Sequence, residues 1–217
     1  MRRYLLVEGA RDSTFYAALV RVLGYKHIDV MPPHEFGKRP GKVHALILLS
    51  IIAQQLGDGS VEKLGVVVDA DHASLGSGFG ATFEKVAGIL RGHGYVAPNM
   101  VARSVAGLIF SHPEGLPEIG VWIMPDNGSD GMLEDFVRQS VEEADQAALL
   151  SAAVTVVGKL DKPLFDRKRH LSKAEVATWL AWQKIPGKGI ESAAGDGLIK
   201  LNAPLVSEFN AWLKRTF

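Results

Sequence analysis

The chain of 217 residues contains no cysteine. This absence excludes disulfide bonds, thiolate zinc sites, iron–sulfur clusters and cysteine nucleophiles, and it is typical of proteins in a reducing cytoplasm. An excess of charge is also missing, because 24 Lys and Arg residues balance 24 Asp and Glu residues. The sequence therefore does not indicate the strongly basic total charge that is typical of many nucleic-acid-binding proteins.

No hydrophobic run is long enough to cross a bilayer. The longest apolar stretch, residues 45–53, is interrupted by Ser50. The amino-terminal run Tyr4–Val7 ends at Glu8 and is too short for the core of a signal peptide. We therefore expect a cytoplasmic protein without a membrane partner, and the apolar fraction of 47% is large enough for a substantial core.

Short apolar runs alternate with helical patterns in the first half of the chain. The runs Tyr4–Val7, Ile28–Met31 and Gly65–Val68 have the length and continuity of buried strands. Apolar residues recur at helical spacing after each of them, as Phe15, Leu19 and their neighbours do after the first. This alternation predicts an α/β fold with a mostly parallel sheet that is covered by helices on both faces.

Two predictions concern individual helices. A helix is expected over residues 42–56, with a buried stripe formed by Val43, Leu46, Ile47, Ser50 and Ile51. A later helix is expected over Lys173–Gln183, because Ser172 and Glu175 have the spacing of a capping box at its start.

The second half of the chain changes from strands to helices. Leu108–Phe110 and Val121–Met124 are separated by a turn-rich segment, so they form an antiparallel pair or two consecutive edge strands, and we favour the pair. Helical patterns dominate from residue 132 onward. We therefore expect an α/β domain over residues 1–130 and a mainly helical C-terminal extension, residues 131–217, that packs on the same domain.

Acidic residues follow two of the predicted strands. Glu8 follows the first, and Asp69 and Asp71 follow the third. Ligands of parallel sheets bind at the carboxyl ends of the strands, and hard carboxylate oxygens suit Mg²⁺, which would also remove the repulsion between the two aspartates. Acids that simply begin a loop or cap a helix are the alternative. For Asp12, one helical turn after Glu8, capping is the favoured role.

The order of these acids resembles the Toprim fold of topoisomerases, bacterial primases and the nucleases of the overcoming-lysogenization-defect family. The similarity covers roughly residues 1–95 and consists of a strand with Glu-Gly, a helix, a strand, a helix and a strand with Asp-x-Asp. This resemblance implies that Glu8 acts as a general acid or base. It also implies that Asp69 and Asp71 coordinate Mg²⁺.

A narrower resemblance extends over most of the chain. The segments Gly120–Asn127, Gly131–Phe136 and Thr178–Gln183 resemble the signature of an uncharacterised prokaryotic Toprim-like family. Asp126 follows an apolar strand and is expected to approach the same pocket as Asp69. Glu134 lies in the first turn of a helix, where the helix dipole alone favours acids, and a metal-binding role is the second interpretation.

The function that we expect is Mg²⁺-dependent phosphodiester or phosphoryl transfer, most of all a nuclease-like activity on nucleic acid, with Mn²⁺ as an alternative ion. Asp126 and Glu134 would complete a second metal site, and Lys42, Lys162 or Arg167–Arg169 would contact phosphates. Two alternatives stay open, namely a Toprim-like binding or regulatory module without chemistry and a hydrolase of small nucleotides. A homodimer is compatible with a domain of this size.

Overall fold

Five strands form a single sheet in a computed structural model, which describes residues 2–99, 107–141 and 143–217. The strands are β1 Arg2–Leu6, β2 Asp29–Met31, β3 Val61–Asp69, β4 Leu108–Phe110 and β5 Ile119–Met124. Their order is β2-β1-β3-β5-β4. The first three strands and β5 run parallel, and β4 pairs with β5 in the antiparallel direction. The mostly parallel sheet and the antiparallel pair are both confirmed.

The described residues contain seven α-helices. They are α1 Ala10–Val22, α2 Lys42–Gly57, α3 Phe79–Arg91, α4 Leu133–Gln139, α5 Ala144–Gly158, α6 Arg167–Ala181 and α7 Pro204–Thr216. Short 3-10 turns lie at Pro33–Phe36, Ala73–Leu75 and Ile190–Ser192. Within the described ranges, none of the helices combines the length and apolar character that a bilayer span requires.

Side chains alternate between two hydrophobic cores on opposite faces of the sheet, as the pleat of a strand requires. In and just after β1, Leu5 and Val7 point into one core while Tyr4 and Leu6 point into the other. Helices α2 and α3 cover the second core, whereas α1 and α4 to α7 contribute to the first. Among the helices after residue 131, α4 contacts β5 and α7 contacts β3 and β5, whereas α6 packs on α4 and α5.

Two glycines let the end of α7 lie directly against the sheet. Gly65 in β3 and Gly120 in β5 are neighbours in register. A Cβ atom on Gly65 would lie 2.9 Å from the Phe217 ring, and one on Gly120 would overlap the side chain of Thr216. The absence of side chains at these two positions therefore sets the separation between α7 and the sheet.

The predicted buried stripe of α2 is wrong at three positions, which are exposed. Val43, Ile47 and Ile51 are 68%, 45% and 43% exposed, and only Leu46 of the predicted apolar set is buried. The buried face instead contains Ala45, Leu46, Leu48, Leu49, Ile52, Ala53 and Leu56. Because nearly every position of this helix is apolar, the periodicity did not distinguish the face that packs on β3 and α3 from the opposite face.

The predicted start of the helix at Lys173 is also wrong. Helix α6 begins at Arg167, and the side chain of Asp166 caps it by accepting a hydrogen bond of 2.9 Å from the backbone N–H of Lys168. Ser172 lies within the helix and donates a hydrogen bond of 2.6 Å to Asp135 in α4. Arginine and lysine are good helix formers, and the basic run Arg167–Arg169 forms the first turn of α6.

Candidate active site at the carboxyl edge of the sheet

Glu8 joins three elements at the carboxyl edge of the sheet. Its Oε1 atom accepts a hydrogen bond of 2.8 Å from the backbone N–H of Asp69, at the end of β3. Its backbone carbonyl accepts a second bond, of 2.7 Å, from the N–H of Gly41, which precedes α2. The structure therefore brings Glu8 and Asp69 together, as expected for acids at the ends of adjacent parallel strands.

Glu8 and Asp69 share a narrow cleft with Asp12 and Tyr16 of α1. The cleft has a volume of about 10 Å³, which is close to the space that one water molecule needs. Asp69 Oδ1 accepts a hydrogen bond of 3.1 Å from the N–H of Leu133, so the start of α4 also reaches this point. The cleft is thus lined by the ends of two strands and the first two turns of α1, and α4 contacts it through Asp69.

Burial makes the carboxylates of this cluster hard to ionise. Burial is the largest cause that raises the pKa of Glu8, to about 7, and it also raises that of Asp69 well above its usual range, with the charge of Glu8 as the next cause. Burial raises the pKa of Asp12 and of Glu134, and the positive charge of Lys173 opposes both changes. These four acids therefore form one cluster whose negative charge is only partly compensated.

Asp12 has the capping role that the sequence favoured, and it also belongs to the cluster. As the third residue of α1, it accepts a hydrogen bond from the backbone of Gly9, which lowers its pKa. Tyr16 lies one turn further along α1 and is buried. Burial raises the pKa of its hydroxyl group well above the usual range, and the charge of Asp69 is the second cause.

Asp71 has a different environment from Glu8 and Asp69. It adopts a left-handed backbone conformation (φ 60°) and forms an antiparallel bridge with Gly131. Lys42 Nζ lies 2.5 Å from Asp71 Oδ2 and also lies 3.4 Å from the carbonyl oxygen of Ala70. The second aspartate of the Asp-x-Asp pair is therefore compensated by a lysine at the first position of α2.

A second cavity adjoins Asp71 and has a volume of about 300 Å³. Its polar lining consists of Asp71, His72, Ser77, Arg169, His170 and Lys173. Helix α6 supplies the last three of these residues, which form a wall opposite the loop after β3, and Arg169 and Lys173 give this wall its positive charge. Of the cations that the sequence proposed for phosphate contacts, Lys42 and Arg169 therefore lie beside the acids, whereas Lys162 is exposed between α5 and α6.

The carboxylate of Asp126 stabilises the turn that follows it. Its carboxylate accepts hydrogen bonds of 3.0 Å and 2.7 Å from the N–H groups of Gly128 and Ser129, and one of 3.0 Å from the Ser129 hydroxyl group. These bonds account for its burial without a metal ion. Glu134, in contrast, lies close enough to raise the pKa of Asp69, so it is the better candidate of the two for the expected second metal site.

Asp130 holds the loop after β3 in place. Its two oxygens accept hydrogen bonds of 2.8 Å from the N–H groups of Ala73 and Phe79, and these bonds lower its pKa. The turn after β5 is thereby tied to the start of α3. The sequence did not predict the role of Asp130, because its partners are more than fifty positions away. It also did not predict that Tyr16 belongs to the cluster, although Tyr16 is four residues after Asp12 and so lies on the same face of α1.

The carboxylate oxygens of Glu8 and Asp69 suit a hard divalent cation, although the side chains do not yet form a complete coordination site. The hydrogen bonds described above use Oε1 of Glu8 and Oδ1 of Asp69. Each side chain has a second carboxylate oxygen, and carboxylate oxygens are the ligands that Mg²⁺ prefers. Among the described residues, no three His, Asp or Glu side chains are already gathered in a metal-binding arrangement. A Mg²⁺ ion at this edge would therefore need side-chain movement, most simply the release of Asp71 from Lys42.

One family model matches this chain, over residues 2–217, and its description is "Protein of unknown function (DUF3226)". No curated protein and no solved structure matches the chain. Since the match spans nearly every residue, including all of the acids and cations described above, the chain belongs to the DUF3226 family.

Proposed function

We propose that the protein is a Mg²⁺-dependent enzyme of phosphodiester or phosphoryl transfer that acts on nucleic acid, with Mn²⁺ as an alternative ion. The observation that supports this proposal best is the cluster of Glu8, Asp12, Asp69 and Glu134 at the carboxyl edge of β1 and β3. Buried carboxylates with raised pKa values are costly to the folded state, and they are concentrated at catalytic and metal-binding sites. A chain without cysteine suits activity in a reducing cytoplasm.

Asp69 is the central residue of the proposed metal site, with Asp71 and Glu134 as neighbouring carboxylates. Once bound there, Mg²⁺ would neutralise the charge that develops on the phosphate oxygens during transfer. The hydrogen bond from Leu133 to Asp69 Oδ1 fixes one oxygen of this carboxylate. The other oxygen keeps its lone pairs for a ligand, so the backbone orients the side chain that binds the ion.

Glu8 is the proposed general acid or base. A pKa of about 7 lets its carboxyl group gain or lose a proton near neutral pH, which is what proton transfer in a transition state requires. The hydrogen bond from the Asp69 N–H holds Oε1 in a fixed orientation. Proton exchange with the attacking or leaving oxygen is therefore assigned to this side chain.

A second candidate function, hydrolysis of a small nucleotide, is favoured by the cavity beside Asp71. Its volume of about 300 Å³ is at the lower end of the range for small-molecule sites. A cavity of this size accommodates a single nucleotide without an extended groove. The neutral net charge of the chain is compatible with such a substrate.

The first experiment is calorimetric titration of Mg²⁺ and Mn²⁺ into the wild type and an Asp69→Asn/Asp71→Asn variant. Asparagine keeps an oxygen that accepts the Leu133 hydrogen bond, so the fold should persist while the metal affinity falls at least tenfold. The control is Glu84→Gln, because Glu84 lies on the exposed face of α3 in an ion pair with Arg91. Equal metal affinity in the wild type and the double variant would overturn the proposal.

The second experiment tests the chemistry with single-stranded DNA, double-stranded DNA, RNA and nucleotides in the presence of Mg²⁺. Glutamine at position 8 still accepts the Asp69 hydrogen bond but cannot exchange a proton. We therefore expect Glu8→Gln to bind Mg²⁺ and to lose about 10²- to 10⁴-fold in turnover. Turnover of nucleotides alone would select the second candidate, and metal binding without any turnover would support the non-catalytic module.

A further inference from the structure

We infer that α6 is the phosphate-recognition element of this site, and that Arg169 and Lys173 bind one phosphate group of the substrate in the cavity beside Asp71. The inference deepens the proposed function and rests on it for the identity of the reaction. The binding of phosphate itself can be measured without metal and without turnover.

The first support is the position of the cations. Arg169 and Lys173 are one helical turn apart, so they lie on the same face of α6, and both line the cavity together with His170. Arginine and lysine are the residues that most often bind phosphate, arginine through its fork of N–H donors and lysine as a point charge. The Arg169 side chain contacts Asp166 loosely, with 3.6 Å between Nε and Oδ2.

The second support is the link between this wall and the carboxylate cluster. Lys173 lines the cavity, and its charge also acts on Asp12 and Glu134. A phosphate that contacts Lys173 would therefore lie at the border between the cavity and the proposed metal site. On the opposite side, Ser77 also lines the cavity, but its hydroxyl group already donates a hydrogen bond of 3.0 Å to the carbonyl oxygen of Ala70. The contacts to the phosphate are therefore assigned to the cations of α6.

The size of the cavity limits what enters it. A volume of about 300 Å³ accommodates a phosphate with its attached sugar and base, at the lower limit of small-molecule sites. Phosphate chemistry of this kind is offered both by a free nucleotide and by the end of a nucleic-acid strand. Two probes distinguish these sources, namely AMP and a 5′-phosphorylated DNA hexanucleotide.

The experiment measures the affinity of both probes, without metal, for the wild type, Arg169→Gln and Lys173→Met. The control is Arg91→Gln on α3. Arg91, Arg169 and Lys173 all lie on exposed helix surfaces, so none of the three substitutions should unfold the protein. Loss of one charge-assisted contact should weaken binding by about tenfold or more in each α6 variant. The control should bind both probes as the wild type does.

A structural role of Lys173 is excluded by a second readout, the affinity for Mg²⁺. Removal of its positive charge leaves Asp12 and Glu134 less compensated, so Mg²⁺ affinity in Lys173→Met should stay the same or rise while phosphate affinity falls. A loss of phosphate affinity without a loss of Mg²⁺ affinity does not arise from general unfolding. Weaker binding of AMP alone identifies a nucleotide as the source of the phosphate, and weaker binding of the hexanucleotide identifies a strand end.

Failure of the inference and failure of the proposed function give different results. If Mg²⁺ binding depends on Asp69 and Asp71 but neither probe is affected by Arg169→Gln and Lys173→Met, the assignment to α6 is wrong and the metal site stands. If the probes lose affinity in both variants but Mg²⁺ does not bind, the phosphate site stands and the proposed chemistry is wrong.

Discussion

The carboxylate of Glu8 accepts a hydrogen bond of 2.8 Å from the backbone N–H of Asp69, which joins the ends of β1 and β3. The two residues are 61 positions apart in the chain. The bond orients the Glu8 side chain, and burial of the pair raises the pKa of both carboxyl groups. Stability and the proposed chemistry therefore involve the same contact.

The first prediction concerns the pH dependence of stability. The pKa of Glu8 is about 7 in the folded protein and 4.5 ordinarily, so the folded state binds more protons than the unfolded state between these values. The free energy of unfolding must then decrease as the pH rises through this window. Glu8→Gln cannot ionise, and we expect its stability to decrease less between pH 5 and pH 8, by a difference on the order of 3 kcal/mol.

Denaturant unfolding of both proteins at several pH values measures this difference. Asp12, Asp69 and Glu134 also have raised pKa values, so the variant should retain part of the slope. Parallel stability profiles for the wild type and Glu8→Gln would show that Glu8 does not have the raised pKa on which its assignment as proton carrier depends.

The second prediction concerns Lys42, whose Nζ atom lies 2.5 Å from Asp71 Oδ2. If Asp71 binds Mg²⁺, the lysine and the ion compete for the same carboxylate. Lys42→Met should therefore be less stable than the wild type without metal, by about 1–3 kcal/mol for the loss of a partly buried charged partner. Added Mg²⁺ should then raise the melting temperature of the variant more than that of the wild type.

Thermal unfolding with and without Mg²⁺ provides the measurement. Arg91→Met is the matched control, because the ion pair of Arg91 with Glu84 is exposed on both sides and is expected to contribute less than about 1 kcal/mol. If Mg²⁺ stabilises the wild type and Lys42→Met by the same amount, Lys42 and Mg²⁺ do not compete for the Asp71 carboxylate.

The sequence predicted the parts of this structure that depend on local patterns. Continuous apolar runs identified β1 and β3, and the position of an acid after each run was sufficient to bring Glu8 and Asp69 to one edge of the sheet. The rule behind this success is general, because parallel strands of one sheet end on the same side. It applies wherever strand ends are clear in the sequence.

The parts that the sequence did not predict depend on contacts between distant segments. Lys42 was one of several equivalent cations, and only the hydrogen bond between Gly41 and Glu8 shows why the start of α2 lies beside Asp71. Lys173 was placed at the start of a helix that in fact begins at Arg167, so its position facing the acids could not be derived. For α2, an apolar composition on all sides concealed the buried face.

The last prediction tests the packing of α7 on the sheet. A methyl group at Gly120 would overlap the Thr216 side chain, which is buried and bonded to the carbonyl of Trp212. Gly120→Ala must therefore displace α7 from β5, and we expect a loss of about 1–3 kcal/mol in the free energy of unfolding.

Gly88→Ala is the matched control, because Gly88 lies in the middle of α3 on its exposed face, with open space at the Cβ position. That substitution should stabilise the protein by about 0.5–1 kcal/mol, since glycine disfavours helix. Denaturant unfolding distinguishes the two variants by the sign of the change, and stabilisation by Gly120→Ala would contradict the direct contact between α7 and the sheet.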